Sequence, residues 1–255
     1  MTIVMTSHAP PVIFVFVRPQ LGANLGSAAR GLKNFGLQTM RLVDPPAGWL
    51  GPDAVARASG AADLLERARI YQSCADAVAD CTLVLATTVR QRGLTKTVLT
   101  PRAAVAHARR RLNENQKLAF LFGPERTGLA NEDITLANAI VTVPTSPDFH
   151  SMNIAHCATL LAYEWCMSLL DPERSVDGGR HEDMLATSAD RHALAECLIA
   201  DLSRSDYFGD AADAPGRMLY LRNLINRHDL TKGEIRTLHR VRKTLRDGPS
   251  EPAGD

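Results

Sequence analysis

The sequence predicts an α/β fold, a mostly parallel sheet followed by a helical C-terminal extension. Short apolar runs rich in β-branched and aromatic residues recur along residues 12–143, and helical stretches separate them. Runs apolar on both faces suit a sheet covered on both sides, the usual setting of parallel strands. After a polar stretch without periodicity at 171–190, a helical pattern resumes and turns basic.

The first run, VIFVFV at 12–17, reads as a strand buried on both faces. Asn24 is placed to cap a helix running through Asn34, with Gly36 closing it. MRLV at 40–43 is a second strand, stopped by Pro45 and Pro46. The Ala-rich stretch 54–68 contains helix. LVLA at 83–86 is a third strand, and Pro101 opens a helix to about Leu112, since proline is tolerated in a first turn. LAFLF at 118–122 and AIVTV at 139–143 are the fourth and fifth strands, and 152–169 is a long, mostly apolar helix. Strands alternating with helices at this spacing indicate α/β architecture. The chain thus divides into 1–170, a linker at 171–190, a helical basic extension at 191–246 and a disordered tail at 247–255.

The chain has 255 residues, 45% hydrophobic and 22% charged, an ordinary globular balance. The net charge of +1 hides an asymmetry. Residues 217–246 hold nine Lys/Arg and two Asp/Glu, a local charge of +7 that leaves −6 for the rest. A basic segment on a near-neutral chain suits a polyanion. Cys74, Cys81, Cys157, Cys166 and Cys197 form no C-x-x-C pair and have no His partners at zinc spacing, so no metal site is expected. They read as buried thiols in a reducing compartment, which places the chain in the cytoplasm. The run at 12–17 is too short for a membrane span or a signal core, so no membrane partner is expected.

Ligands of open α/β sheets bind outside the carboxyl ends of the strands, so the segments after the strands are the candidate sites. Residues 18–36 (RPQLGANLGSAARGLKNFG) are neither a dinucleotide fingerprint nor a P-loop, since Gly22 and Gly26 are four apart and no Gly-Lys-Ser/Thr follows. Arg30 falls almost two turns into the helix, within reach of a phosphate or an oxyanion at the loop. Alone, the pattern also fits a helix cap and a surface arginine. Residues 121–129 (LFGPERTGL) set Glu125 between two glycines that permit tight turns. Alone, they also fit a turn with a solvated Glu-Arg pair. Residues 143–155 (VPTSPDFHSMNIA) are a proline-stiffened loop running into a helix whose first turn holds Ser151 and Asn153. His150 beside Ser151 is no hydrolytic pair, and no G-x-S-x-G elbow occurs.

Taken together and in this order, N-x-G-x-x-x-R-x-x-x-N-F-G, F-G-x-E-x-x-G-L and V-P-x(6)-S-x-N-I-A resemble the three signature motifs of the SpoU/TrmH methyltransferases, a SPOUT family. The resemblance covers roughly residues 12–165. The segment 198–245 also resembles the helical extension of TrmJ-type tRNA methyltransferases. Pro124 and Met152 depart from residues common in the family and keep its size and polarity.

The resemblance implies a deep trefoil knot, a rare exception to unthreaded chains. It implies an S-adenosylmethionine site lined by Thr87, Thr88, Val89, Gly123, Val143, His150, Ser151 and Met152. It further implies a homodimer in which Arg30 of one subunit works beside the cofactor of the other. The catalytic set carried over is Asn24, Arg30, Glu125, Ser151 and Asn153, and the reaction is 2′-O-methylation of an RNA ribose. The TrmJ-type extension points to tRNA and to cytidine or uridine at position 32 of the anticodon loop. Ribosomal RNA is the nearer alternative, and a non-catalytic RNA-binding protein of the same fold the more distant one.

A ribose 2′-hydroxyl is a weak nucleophile, so fixed donors and positive charge must meet the oxyanion as the proton leaves. Arg30 suits electrostatic stabilisation and phosphate anchoring. The family's arginine has been cast as the general base, but a free guanidinium titrates only above about 12. Ser151 and Asn153 would orient Arg30 or the ribose, and Glu125 would fix the second loop or Asn24. In the extension, Arg217, Arg222, Arg227, Arg236, Arg240, Arg242 and Lys243 are candidates for phosphate contacts, which would weaken with salt.

Overall fold

The computed structural model describes residues 9–88, 95–170, 184–209 and 213–247. Seven strands form one all-parallel sheet: β1 (Val12–Val17), β2 (Met40–Val43), β3 (Arg69–Tyr71), β4 (Leu83–Thr87), β5 (Val98–Leu99), β6 (Leu118–Phe122) and β7 (Ala139–Val141). Their order is β3-β2-β1-β6-β4-β7-β5. The five expected strands are present, the last ending at Val141 rather than Val143. The two additional strands are the sheet edges. Their three and two residues are exposed or half-buried, so neither leaves an apolar run to read.

Alternation along β1 divides its side chains between two cores. Val12, Phe14 and Phe16 join the layer containing α1 (Gly22–Asn34), α2 (Pro52–Ala58), α3 (Ala62–Glu66), α5 (Pro101–Arg111) and α7 (Ile154–Leu170). Ile13, Val15 and Val17 join the opposite layer with α4 (Cys74–Val78) and α6 (Asn131–Thr135). Phe14 stacks on Phe122 with centroids 5.8 Å apart, and Phe16 on the same ring at 5.1 Å. The helix expected at 54–68 is two, because Ser59 takes a left-handed φ of 44° and Gly60 one of 88°. Pro101 opens α5 as expected, with the Thr100 hydroxyl accepting from Ala103 N–H.

The C-terminal helices are α8 (Ser188–Leu202), α9 (Ala214–Asn226) and α10 (Lys232–Asp247). Residues 184–187, assigned to the linker, instead pair with the chain before α10: Ala186 N–H donates to Leu230 O at 2.8 Å, and Leu185 bridges Thr231. Thr187 and Asp190 then form a capping box that starts α8 inside the same linker assignment. The remainder of that assignment, 171–183, and residues 248–255 of the assigned tail lie outside the described residues.

These helices dock at the amino edge of the sheet. Ser188 N–H donates to Cys81 O at 2.7 Å, just before β4. Arg191 is fully buried there, its guanidinium donating to Thr82 O (3.1 Å), Ala186 O (2.7 Å) and Asn138 Oδ1 (3.2 Å). Asn138 passes the link on through Nδ2 to Asp229 Oδ1 at 3.0 Å, and Arg111 pairs with the same carboxylate. Burial pulls the Arg191 guanidinium down to about 10, which leaves it charged at neutral pH. We expect Arg191→Met to cost on the order of 2 kcal/mol, because three buried acceptors lose a charged donor. A lower urea midpoint is the readout; an unchanged midpoint contradicts it.

No helix is long and apolar enough to cross a membrane among the described residues.

Candidate active site

At the carboxyl edge of the sheet, the segments after β4, β6 and β7 enclose a cavity of about 800 Å³. Thr87, Thr88, Gly123, Val143, His150, Ser151 and Met152 all line it. Val89, assigned to the same set, lies outside the described residues. The wall also includes residues outside the assigned cofactor set, among them Phe122, Arg126, Thr142, Ile154 and Cys157. Phe122 and Ile154 are motif positions with no cofactor role assigned, Arg126 falls between motif positions, and Thr142 and Cys157 lie just outside the third motif. Burial pushes the Cys157 thiol up to about 12, so it is a neutral wall atom at physiological pH.

Backbone packing shapes this cavity. A Cβ on Gly123 would stand 2.2 Å from Leu129 N and 2.4 Å from Gly128 C, so the loop can close on itself only if this position is glycine. The Thr87 hydroxyl donates to Leu121 O and the Thr142 hydroxyl to Thr88 O, both at 2.7 Å, tying the three segments together. Beyond the second loop, Asp133 is buried, accepts from Ala130 N–H at 3.1 Å and pairs with Arg18. Arg18 sits at the end of β1 with a left-handed φ of 46°, uncommon for a non-glycine residue. Sequence reasoning missed this clamp, since nothing near Arg18 or Asp133 marks a pair 115 positions apart.

Glu125 links the loops. Its carboxylate accepts from Gln20 N–H (2.8 Å), Leu21 N–H (3.3 Å) and Asn24 Nδ2 (2.8 Å), so it caps the start of α1 from a different loop. Asn24 therefore does not cap its own helix, which begins at Gly22; its side chain lies between Glu125 and Asn153, accepting from Asn153 Nδ2 at 2.8 Å. Asn153 in turn caps α7, its Oδ1 accepting from Ala155 N–H at 2.8 Å, and the helix starts at Ile154 rather than Met152. Asn24, Glu125 and Asn153 are thus one hydrogen-bonded chain from three motifs.

Arg30 and Ser151 stand apart from that chain. Ser151 lines the cavity before α7, whereas Arg30 is exposed on α1 and is not part of the cavity wall. Neither makes a side-chain hydrogen bond among the described residues. On the same helix, Gly31 lies against α7, where an added Cβ would meet Thr159 Oγ1 at 2.1 Å. No cluster of three or more His, Cys, Asp or Glu able to hold a metal occurs among the described residues.

A parallel α/β sheet whose carboxyl-edge loops fold back around one ligand cavity defines the class. The model of the SpoU rRNA Methylase family matches residues 11–163, and the chain belongs to that family. It is 33% identical over 233 residues to the tRNA (cytidine/uridine/adenosine-2′-O-)-methyltransferase TrmJ of Pseudomonas aeruginosa, spanning 89% of this chain and 90% of that protein. It is 35% identical over 176 residues to the tRNA (cytidine/uridine-2′-O-)-methyltransferase TrmJ of Salmonella choleraesuis, 67% of this chain and 69% of the relative. The crystal structure of TrmJ from Z. mobilis ZM4 is similar to it with a TM-score of 0.80 and 40% identity, over 93% of this chain and 99% of that one.

Proposed function

We propose that this protein methylates the 2′-hydroxyl of a tRNA ribose from S-adenosylmethionine, at cytidine or uridine 32 of the anticodon loop. The observation that carries the reading is the meeting of the second and third motif loops at one cavity, with the first motif joined to both through the Asn24–Glu125–Asn153 chain. The activities in the names of the relatives support it.

The cavity fits the cofactor in kind. It holds backbone turned inward at Gly123, hydroxyls at Thr88 and Ser151, and apolar walls at Val143, Met152 and Ile154. S-adenosylmethionine, when bound, supplies an electrophilic methyl carbon on a sulfonium. That methyl group would pass to the ribose 2′-oxygen as the hydroxyl gives up its proton, and the chain's own residues would hold the ribose and meet the charge. Ser151, which lines the cavity, would orient the ribose, and Arg30 would offer charge to the developing oxyanion.

The homodimer belongs to the same proposal. Leu160, Tyr163 and Met167 are exposed along one face of α7, the apolar surface a second subunit would cover. Arg30 lies outside its own subunit's cavity, as a residue serving the partner's would. The knot belongs to it too, supported by the order β6-β4-β7-β5, in which the chain returns past β4 to place β7. The five free thiols suit the cytoplasm.

The basic extension is the proposed RNA grip, with a smaller set than the sequence suggested. Arg222 is bound to Glu196 at 2.6 and 3.0 Å, and Arg242 to Asp201 at 2.5 Å, so both hold the helices together instead of facing a ligand. Arg240 and Lys243 are exposed along α10.

Nucleoside mass spectrometry on tRNA and ribosomal RNA incubated with protein and S-adenosylmethionine tests the reading. Methylated cytidine or uridine ribose in tRNA is expected; methylation of ribosomal RNA alone, or of neither, overturns it. Within this reading Glu125 is an anchor. Glu125→Gln should lower kcat/KM about tenfold, roughly the worth of one hydrogen bond to a charged group, without moving the pH–rate profile. Loss of the acidic limb of that profile would make Glu125 the proton acceptor instead.

A further inference from the structure

Phe149 lies in the loop between β7 and α7 with 76% of its surface exposed, while the other six phenylalanines are buried or half-buried. The exposure is built into the loop. Phe149 N–H donates to Ser146 O at 3.1 Å, closing a β-turn with Pro147 at its second position. The Ser146 hydroxyl accepts from Asp148 N–H at 3.4 Å inside the same turn. Proline fixes the turn's φ, so the ring stands on a stiffened support. The next residues, His150 and Ser151, line the cavity. An apolar ring is therefore held in solvent beside the mouth of the site, leaving its area free for a partner to bury.

We propose that Phe149 is the stacking shelf for the base of the nucleotide whose ribose is methylated. The inference rests on the function proposed above and names how that site receives its substrate. Every nucleobase has a π face, so a ring recognises a base without reading its edge. That matches the relatives' names, one of which specifies cytidine and uridine while another adds adenosine. Hydrogen-bonding pockets discriminate among base edges, whereas a shelf only demands that the base be unstacked from its neighbours. A base held on Phe149 leaves its sugar directed toward Ser151, one cavity-lining residue away from the turn.

The test uses the full-length protein, S-adenosylmethionine and a tRNA carrying pyrrolocytidine at the methylated position. Its fluorescence falls when the base stacks. Wild-type protein should quench it. Phe149→Ala should not, and its kcat/KM for tRNA should fall about 10- to 100-fold. Phe149→Tyr should restore both, and cofactor affinity and molar mass in solution should be the same in all three. Wild-type kinetics with normal quenching in Phe149→Ala overturns the proposal. A monomeric Phe149→Ala overturns it in favour of a second copy of the chain, and a parallel loss of cofactor affinity overturns it in favour of a cofactor wall. If wild-type protein methylates no tRNA ribose, the underlying function fails first, and the shelf falls with it.

Discussion

Arg30→Ala should lower the single-turnover rate of methyl transfer about 10²- to 10³-fold, the usual cost of removing one preorganised charge from a developing oxyanion. The fold should survive, since Arg30 is exposed on α1 while its neighbours Ala29 and Gly31 are buried. Surface substitutions of this kind change stability by about 0.5 kcal/mol or less. Cofactor affinity should survive too, because Arg30 is no part of its own cavity wall. Arg30→Lys keeps the charge and loses the planar fork, so an intermediate rate is expected. Wild-type turnover in Arg30→Ala would remove this residue from the mechanism.

Gly123→Ala should weaken cofactor binding on the order of 100-fold, measured by calorimetric titration. The new Cβ would stand 2.2 Å from Leu129 N and 2.4 Å from Gly128 C, and both are backbone that cannot rotate away. Overpacking of this kind costs about 1–3 kcal/mol, and the relief open to the chain is to splay the loop that forms the cavity wall. Glu125 sits in that loop, so the Asn24–Glu125–Asn153 chain would be disturbed as well. An unchanged affinity would mean that the loop is not part of the binding surface. The two variants also combine. A heterodimer of Arg30→Ala with Gly123→Ala retains one intact site if Arg30 acts across the interface and none if it acts within its own subunit.

The sheet was readable where strands are buried on both faces, as at β1 and β6, because burial on both sides imposes unbroken apolar runs. It was unreadable at β3 and β5, whose positions at the edges free them from that demand. The motif residues were readable as a set, and seven of the positions assigned to the cofactor meet in one cavity. Their partners were not. Asn24 looks like a helix cap in sequence because Asn is a good cap; only the fold brings Glu125 within 2.8 Å and gives it another task. Likewise, nine basic residues in 217–246 suggested a uniform charged face. Arg222 and Arg242 proved to be bound to Glu196 and Asp201, on a helix too distant in sequence for charge counting to pair them.

Arg191, Asn138 and Asp229 join the last three helices to the edge of the sheet opposite the cavity. A five-residue strand such as β4 is ~17 Å long, and at least that span separates the two ends. The molecule then behaves as a fixed gauge. With the RNA grip proposed on those helices, a long substrate held at the rear would offer the front only the sugar that lies one gauge length along its shape, and the choice of target would become a matter of reach.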